Sequence, residues 1–483
     1  MGEAAMRETR QFNRQVIVGL VLITIVAAAL RLYKLDYGSF WLDELYSINA
    51  SAKLSDMHNS KALGYLPTVV GLHAAGIDPS TIPSEPATWQ SLGITERVAR
   101  LPTAIVGIAT VLLAGLASVP LLGRRGALIV TLLLAIAPWH LYWSQAARFY
   151  IPQFLFYTLC IVFYFVATRD GSRRLFVAAM ICLLLAFLSQ PTALIILGVF
   201  AVDWLASLWR REPLKLGAFE CITGATVVML CLGIVGHDIW LVPSQWTQFV
   251  EAGVRHQSPL RMLLGAGYMI GPAVVAFAGL TCMGLWSRDR RSIIYFAAAS
   301  SVPILTFAIM SGWAFVGLRY AFVALYGWLA LAALGSDALI RVLQPRVGRA
   351  LAWSPLVMLV ASMALTNYIY FNSNGNFHAR WNDAAAYVRS HREADEHVAA
   401  SDVHTAEYYM QEKVLPLPAG PEQVRALDEV TWFMVEVTSA SQNSGRHWLL
   451  SDAELRDVFP LRAAHGTSSL HVYRYVPRAD DAR

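Results

Sequence analysis

Two adjacent acids, Asp43 and Glu44, stand in the segment Phe40-Trp41-Leu42-Asp43-Glu44-Leu45-Tyr46, shortly after a long apolar run. Trp41 and Tyr46 favour a membrane–water interface. A partly desolvated carboxylate at such a level holds its proton more tightly, toward the range of a general base. The alternative is an acidic pair that complements the dipole of a helix N-terminus. Cations form a second group. In Ser144-Gln145-Ala146-Ala147-Arg148-Phe149-Tyr150, an arginine among aromatics suits bidentate capture of a phosphate, or snorkelling to the headgroups. Arg319-Tyr320 carries the same two readings, and Lys61 with Gly64-Tyr65-Leu66-Pro67 adds a further cation and ring. One acidic pair plus several cations matches an anionic lipid headgroup that bears an attached polar group.

Composition defines the setting. The chain has 483 residues, 56% hydrophobic and only 15% charged, with a net charge of +5 and mean hydropathy +0.47. Soluble domains carry about a quarter charged residues. A disordered chain, a disulfide scaffold and a nucleic-acid binder are all poor fits, and the reading is an all-α polytopic membrane protein. A bilayer core needs about 20 apolar helical residues per crossing. About eleven segments meet that test: Val16–Leu32, Val98–Leu122, Ala127–Trp143, Ile151–Thr168, Leu175–Leu188, Thr192–Trp209, Leu216–Val235, Met262–Trp286, Ile293–Met310, Tyr320–Gly335 and Leu351–Phe371. Ser189-Gln190-Pro191 reads as a tight hairpin between two of them.

Arginines and lysines fix the orientation by the positive-inside rule. With a cytoplasmic N-terminus, the inner segments hold Arg7, Arg10 and Arg14; Arg124 and Arg125; Arg169, Arg173 and Arg174; Arg210, Arg211 and Lys215; Arg288, Arg290 and Arg291; and Arg341, Arg346 and Arg349. The C-terminal tail then lies outside, which for a bacterial-type protein means an inner membrane with a periplasmic tail. A cleaved signal peptide ending near Ala27-Ala28-Ala29 is the rival at the N-terminus and leaves the downstream topology unchanged.

Residues 1–371 thus read as the membrane domain, with a large first outer loop over 33–97. That loop predicts helices near Trp41–Leu54 and Leu63–Ala75, and a turn-rich stretch at Asp78–Pro86. Residues 372–483 read as a soluble extracytoplasmic α/β domain. Its predicted helices are Trp381–His391, Thr405–Gln411 and Ala453–Phe459, and its β-runs are His397–Ala400, Thr431–Val437, His447–Leu450 and Ser469–Val476. The five cysteines all fall in predicted spans and read as packing residues. His140 reads as a packed or interfacial histidine, and His237-Asp238 is too small a pair for a metal site. There is no Walker-type glycine loop, Cys-x-x-Cys or His-Glu-x-x-His. A polytopic lipid or sugar transporter or flippase without catalysis is the alternative, and a non-catalytic scaffold is the third reading.

Taken in order along the chain, these motifs resemble the GT-C membrane glycosyltransferases, the group that includes protein O-mannosyltransferases and lipid A aminoarabinose transferases. The resemblance rests on Trp41-Leu42-Asp43-Glu44, on Glu96-Arg97-Val98-Ala99-Arg100-Leu101-Pro102, on Ser144–Tyr150, on Arg319-Tyr320 and on the outer α/β tail. It implies a hexosyl or pentosyl transferase that takes its sugar from a polyprenyl-phosphate donor. Asp43 would be the base for an acceptor hydroxyl on a protein, lipid or glycan, and the configuration would invert. Arg148 and Arg319, with Lys61, would hold the lipid phosphate. Glu44, Tyr65, Gln145, Tyr150 and Tyr320 would contact substrate. Both named subgroups carry Pro-Pro-Leu in the first loop, where this chain has Gly64-Tyr65-Leu66-Pro67. The aminoarabinose transferases place an arginine where Tyr46 stands here. The departures point to the broader bacterial family. No cofactor is required by the reaction so drawn, and a divalent cation stays open.

Overall fold

The computed structural model describes residues 3–54, 61–241, 258–285, 289–312, 316–372, 379–437, 454–460 and 469–477. The chain groups into two compact units. Met1–Leu32, Asp56–Leu66 and Thr103–Thr366 form the first; Tyr33–Ser55, Pro67–Pro102 and Asn367–Arg483 form the second. Most of the first long connection thus belongs with the C-terminal tail.

Apolar helices build the first unit. In chain order the helices of the protein begin with α1 (Glu3–Leu32), α2 (Leu42–Ala52), α3 (Ala62–Ala74), α4 (Glu96–Ala135), α5 (Pro138–Ser144), α6 (Tyr150–Asp170), α7 (Arg173–Ser189), α8 (Ile196–Arg210) and α9 (Ala218–Leu241). The series continues with α10 (Pro259–Ile270), α11 (Pro272–Leu285), α12 (Arg290–Met310), α13 (Leu325–Val347), the short α14 (Arg349–Ala352) and α15 (Ser354–Asn372). Eight helices among the described residues are long and apolar enough to cross a membrane, or nine if α10 and α11, bent by 94° about Gly271, count as one span. The protein is a multi-pass membrane protein. Within the described residues, which leave out Trp286, the predicted apolar segments fall largely on helix, and the counts differ for two physical reasons. Gly123, with φ 69° and ψ 174°, interrupts the 40-residue α4 where two predicted segments meet. The 17-residue α7 is shorter than a full crossing needs. Ser172 caps α7 by accepting from the Leu175 N–H at 3.4 Å, and Pro191 opens a 3₁₀ turn after it, as the Ser189-Gln190-Pro191 hairpin requires.

The second unit carries a five-stranded sheet: β1 (His397–Ala400), β2 (Leu415–Pro416), β3 (Thr431–Val437), β4 (Glu454–Pro460) and β5 (Ser469–Tyr475). Their spatial order is β2-β1-β3-β5-β4, with β2, β1 and β3 parallel and β5 antiparallel to both β3 and β4. The helices α16 (Trp381–His391), α17 (Val403–Met410) and α18 (Pro421–Arg425) join it. Ala399, Val424, Phe433, Val435, Tyr473 and Tyr475 make one buried core. The sequence reading of Ala453–Phe459 as helix is corrected to strand β4. Leu455 and Val458 imitate a helical spacing because a bulge shifts the register between Leu455 and Asp457 against β5. The predicted β-run His447–Leu450 lies outside the described residues.

Candidate active site

In the second unit, Asp43 and Glu44 occupy the first turn of α2, after an extended Trp41 (φ −116°, ψ 161°). Asp43 is half-buried, and its carbonyl accepts from the Ser47 hydroxyl at 3.0 Å. Beyond it stands Tyr46, whose phenol is pushed up by burial and by the negative charges of Asp402 and Asp43. The Tyr46 ring meets His404 edge-on at 6.1 Å. Asp402 caps α17, accepting from the Thr405 N–H at 3.2 Å, and burial raises its own carboxyl above the ordinary value despite that bond. The C-terminal tail therefore brings Asp402 and His404 to the neighbourhood of Tyr46, a juxtaposition with no signal in the sequence.

Glu44 is held by an arginine of its own unit. It is fully buried, and its Oε1 and Oε2 accept from Arg100 Nε at 2.8 Å and Nη2 at 2.7 Å. Arg100 also donates to the carbonyls of Leu35 (3.2 Å), Gly38 (2.7 Å) and Ser39 (2.9 Å), and lies over the Phe40 ring at 5.2 Å. The fork geometry of a guanidinium suits that double grip. Glu44 thus holds the loop, and the motif around Arg100 is its counterpart.

The first unit collects the other candidates around Phe149. Lys61 Nζ lies over the Phe149 ring at 5.5 Å and Arg148 Cζ at 4.6 Å. Tyr65 meets the same ring edge-on at 5.8 Å, and Tyr150 adjoins it at 4.5 Å. Tyr150 in turn lies 6.4 Å from Tyr320, beside which Arg319 Cζ sits 6.0 Å from the ring. Arg148 and Tyr150 are buried. The break between α5 and α6 places this run, with Phe149 at its bend. Lys61, Tyr65, Arg148 and Tyr150 thus meet at Phe149, named in the sequence only as a neighbour, and Tyr150 links that group to Tyr320 and Arg319. Cations among aromatic faces in a poorly hydrated place give a strong local positive field.

Gln145 bonds to the end of α1. Its Nε2 donates to the carbonyls of Arg31 (3.1 Å) and Leu30 (3.4 Å), so it ties α5 to the end of α1. Next to it a buried arginine escaped sequence reasoning. Arg31 donates to the carbonyls of Ala135 (2.8 Å) and Leu134 (3.2 Å) at the end of α4, and to His140 Nδ1 at 2.7 Å. Those carbonyls end a helix and lack intrahelical donors, and a cation there also complements the dipole. His140 is fully buried, a packed histidine. Among the described residues no group of three or more His, Cys, Asp or Glu side chains is placed to hold a metal ion.

No protein-family model matches the chain, and neither does any curated protein. Solved structures do. ArnT from Cupriavidus metallidurans, in the apo state and bound to undecaprenyl phosphate, matches with a TM-score of 0.52 at 14% identity, over 96% of this chain and 98% of that one. The archaeal oligosaccharyltransferase AglB from Archaeoglobus fulgidus, in complex with an inhibitory peptide and a dolichol-phosphate, matches with a TM-score of 0.52 at 12% identity, over 98% of this chain and 75% of that one. At such identities the likeness is one of fold alone, and the fold that this chain shares with these structures is the GT-C fold.

Proposed function

We propose that the protein transfers a sugar from a polyprenyl-phosphate donor to an acceptor hydroxyl, with inversion, on the outer face of the membrane. The observation that carries the reading is the convergence of Lys61, Arg148 and Arg319 on the Phe149–Tyr150–Tyr320 aromatic run in a GT-C fold. Structures of that fold hold undecaprenyl phosphate in one case and dolichol-phosphate with a peptide in another. Asp43 takes the acceptor proton as the new bond to the anomeric carbon forms. The bond from that carbon to the phosphate oxygen breaks, and polyprenyl phosphate leaves with the electron pair. Arg148 and Arg319, with Lys61, stabilise the charge that grows on the departing phosphate. Tyr65, Tyr150 and Tyr320 frame that phosphate and the first atoms beyond it. The step as written needs no nucleotide and no metal. Orientation by the positive-inside rule supports a cytoplasmic N-terminus and an extracytoplasmic tail in an inner membrane.

Replacement of Asp43 by Asn keeps the size and removes the base. We expect purified Asp43→Asn to bind undecaprenyl phosphate like the parent and to lose transfer by about a hundredfold or more. Transfer at the parental rate from undecaprenyl-phosphate mannose and aminoarabinose would remove Asp43 from the chemistry. Parental binding with no transfer by the unaltered protein from any lipid-linked sugar would favour a transporter.

A further inference from the structure

The backbone from Leu35 to Glu44 leads straight into Asp43, and within the second unit it is gripped from two directions. Arg100, one turn into α4, takes the carbonyls of Leu35, Gly38 and Ser39 and both oxygens of Glu44. The tail takes the rest. The Phe40 N–H donates to the Tyr409 hydroxyl at 2.6 Å, and that hydroxyl donates to Glu96 in the first turn of α4. Asn382, on α16, accepts from the Ser39 hydroxyl at 2.8 Å, and its own N–H donates back to that oxygen at 3.1 Å. Tyr408 packs edge-on against Phe40 at 5.1 Å. Every one of these groups is contributed by a residue far from Asp43 in sequence.

We propose that Arg100 and Tyr409 are positioning residues for Asp43, and that the C-terminal domain is therefore a working part of the catalytic loop. This rests on the reading of Asp43 as the base. The physical reason is the steepness of proton transfer and displacement with distance: a misplacement of about 1 Å can lower a rate about a hundredfold. The Tyr409 hydroxyl suits the task because it both accepts and donates. Burial and the nearby Glu96 carboxylate push the phenol well above its ordinary value, so it stays protonated and keeps both bonds. A tail that served acceptor recognition alone would have no need to reach the Phe40 amide.

The test uses the full-length protein in lipid nanodiscs. Tyr409→Phe removes both bonds and keeps the ring; Arg100→Lys keeps the charge and loses the fork. Tyr408→Phe is the control, since it keeps the ring that packs on Phe40 and loses only a hydroxyl that donates to the Ile94 carbonyl at 2.9 Å. Hydrogen exchange over residues 39–45 is expected to quicken about tenfold or more in Tyr409→Phe and to match the parent in Tyr408→Phe. Turnover from undecaprenyl-phosphate mannose or aminoarabinose is expected to fall about tenfold or more in kcat. The donor KM should stay within about twofold, and octanol and bulkier acceptors should lose turnover by the same factor. Unchanged exchange over 39–45 overturns the proposal whether or not the parent transfers either sugar. Intact kcat with octanol, beside a raised KM for a bulky acceptor, overturns it in favour of acceptor recognition. Faster exchange in a protein whose parent transfers neither sugar upholds the grip and counts instead against the assignment of the base.

Discussion

Arg100 meets Glu44 as fork to fork, Nε to Oε1 at 2.8 Å and Nη2 to Oε2 at 2.7 Å, with both side chains almost wholly removed from solvent. Removing one partner of such a buried pair strands a charge and costs about 3–5 kcal/mol. We therefore expect Arg100→Ala and Glu44→Ala each to lower the midpoint of thermal unfolding markedly. In a double-mutant cycle the second substitution should cost much less than the first, because the stranded charge is then gone. Additive losses would show that the two groups do not depend on one another.

That pair also shows what a sequence can and cannot reveal. Asp43-Glu44 and the Arg100 segment stood out as motifs, since acids and arginines beside apolar runs are conspicuous. Their partnership spans 56 positions and follows from the tertiary fold alone. The apolar segments were legible because burial in lipid demands long unbroken runs. Phe149 was legible as a neighbour of Arg148 and Tyr150 and illegible as a meeting point, because Lys61 and Tyr65 reach it from a segment more than 80 positions earlier. Strand β4 was misread where a bulge broke the two-residue alternation on which strand recognition depends. Tyr409 left no mark at all; a tyrosine in a tail helix gives no hint that it accepts from an amide 369 residues earlier.

Arg148 lies against Phe149 and Tyr150, with its guanidinium carbon 4.6 Å and 5.7 Å from the ring centres. A lysine keeps the charge and loses both the planar stacking and the bidentate reach to a phosphate. We predict that Arg148→Ala weakens undecaprenyl phosphate binding about 10- to 100-fold, the range for a charged hydrogen bond lost from a dry place. Arg148→Lys should fall between that variant and the parent. Tryptophan fluorescence titration with undecaprenyl phosphate reads the affinities. Affinity within twofold of the parent for Arg148→Ala would place the lipid phosphate elsewhere.

Gly64 makes the approach of α3 to Phe149 possible. A Cβ added there would stand 2.4 Å from the Phe149 Cβ and 2.5 Å from the Ser189 carbonyl oxygen, and the backbone partner cannot give way as a side chain can. Gly64→Ala should cost about 1–3 kcal/mol as overpacking and displace Phe149 from its place under Lys61 and Arg148. Weaker binding of undecaprenyl phosphate should accompany the lost stability. Gly233→Ala is the comparator, because a Cβ there meets nothing within 4 Å and a helical alanine is favoured over glycine. Equal behaviour of the two variants would show that the close approach at Gly64 is relaxed in the membrane.

Glu396 gives the tail a dependence on acid whose sign can be worked out. Burial, the largest influence, pushes its carboxyl up, but bonds from Arg474, from Trp432 Nε1 at 2.5 Å and from the Glu393 N–H at 3.1 Å outweigh it and set the group below its ordinary 4.5. The register that pairs Trp432 with Arg474 across β3 and β5 delivers both donors together. A carboxyl lowered by folding contributes stability that is present above its unfolded value and is lost as the pH falls through the folded one. Protection of the β3 and β5 amides should therefore be insensitive to this group from neutral pH down to about 5, then decline below about 4.5. Glu396→Gln should reduce protection at pH 7 and flatten the decline, since no charge remains to be lost. Hydrogen exchange across β3 and β5 from pH 7 to 4 in the full chain measures both arms. An equally steep acid decline in Glu396→Gln would assign the sensitivity to another carboxylate.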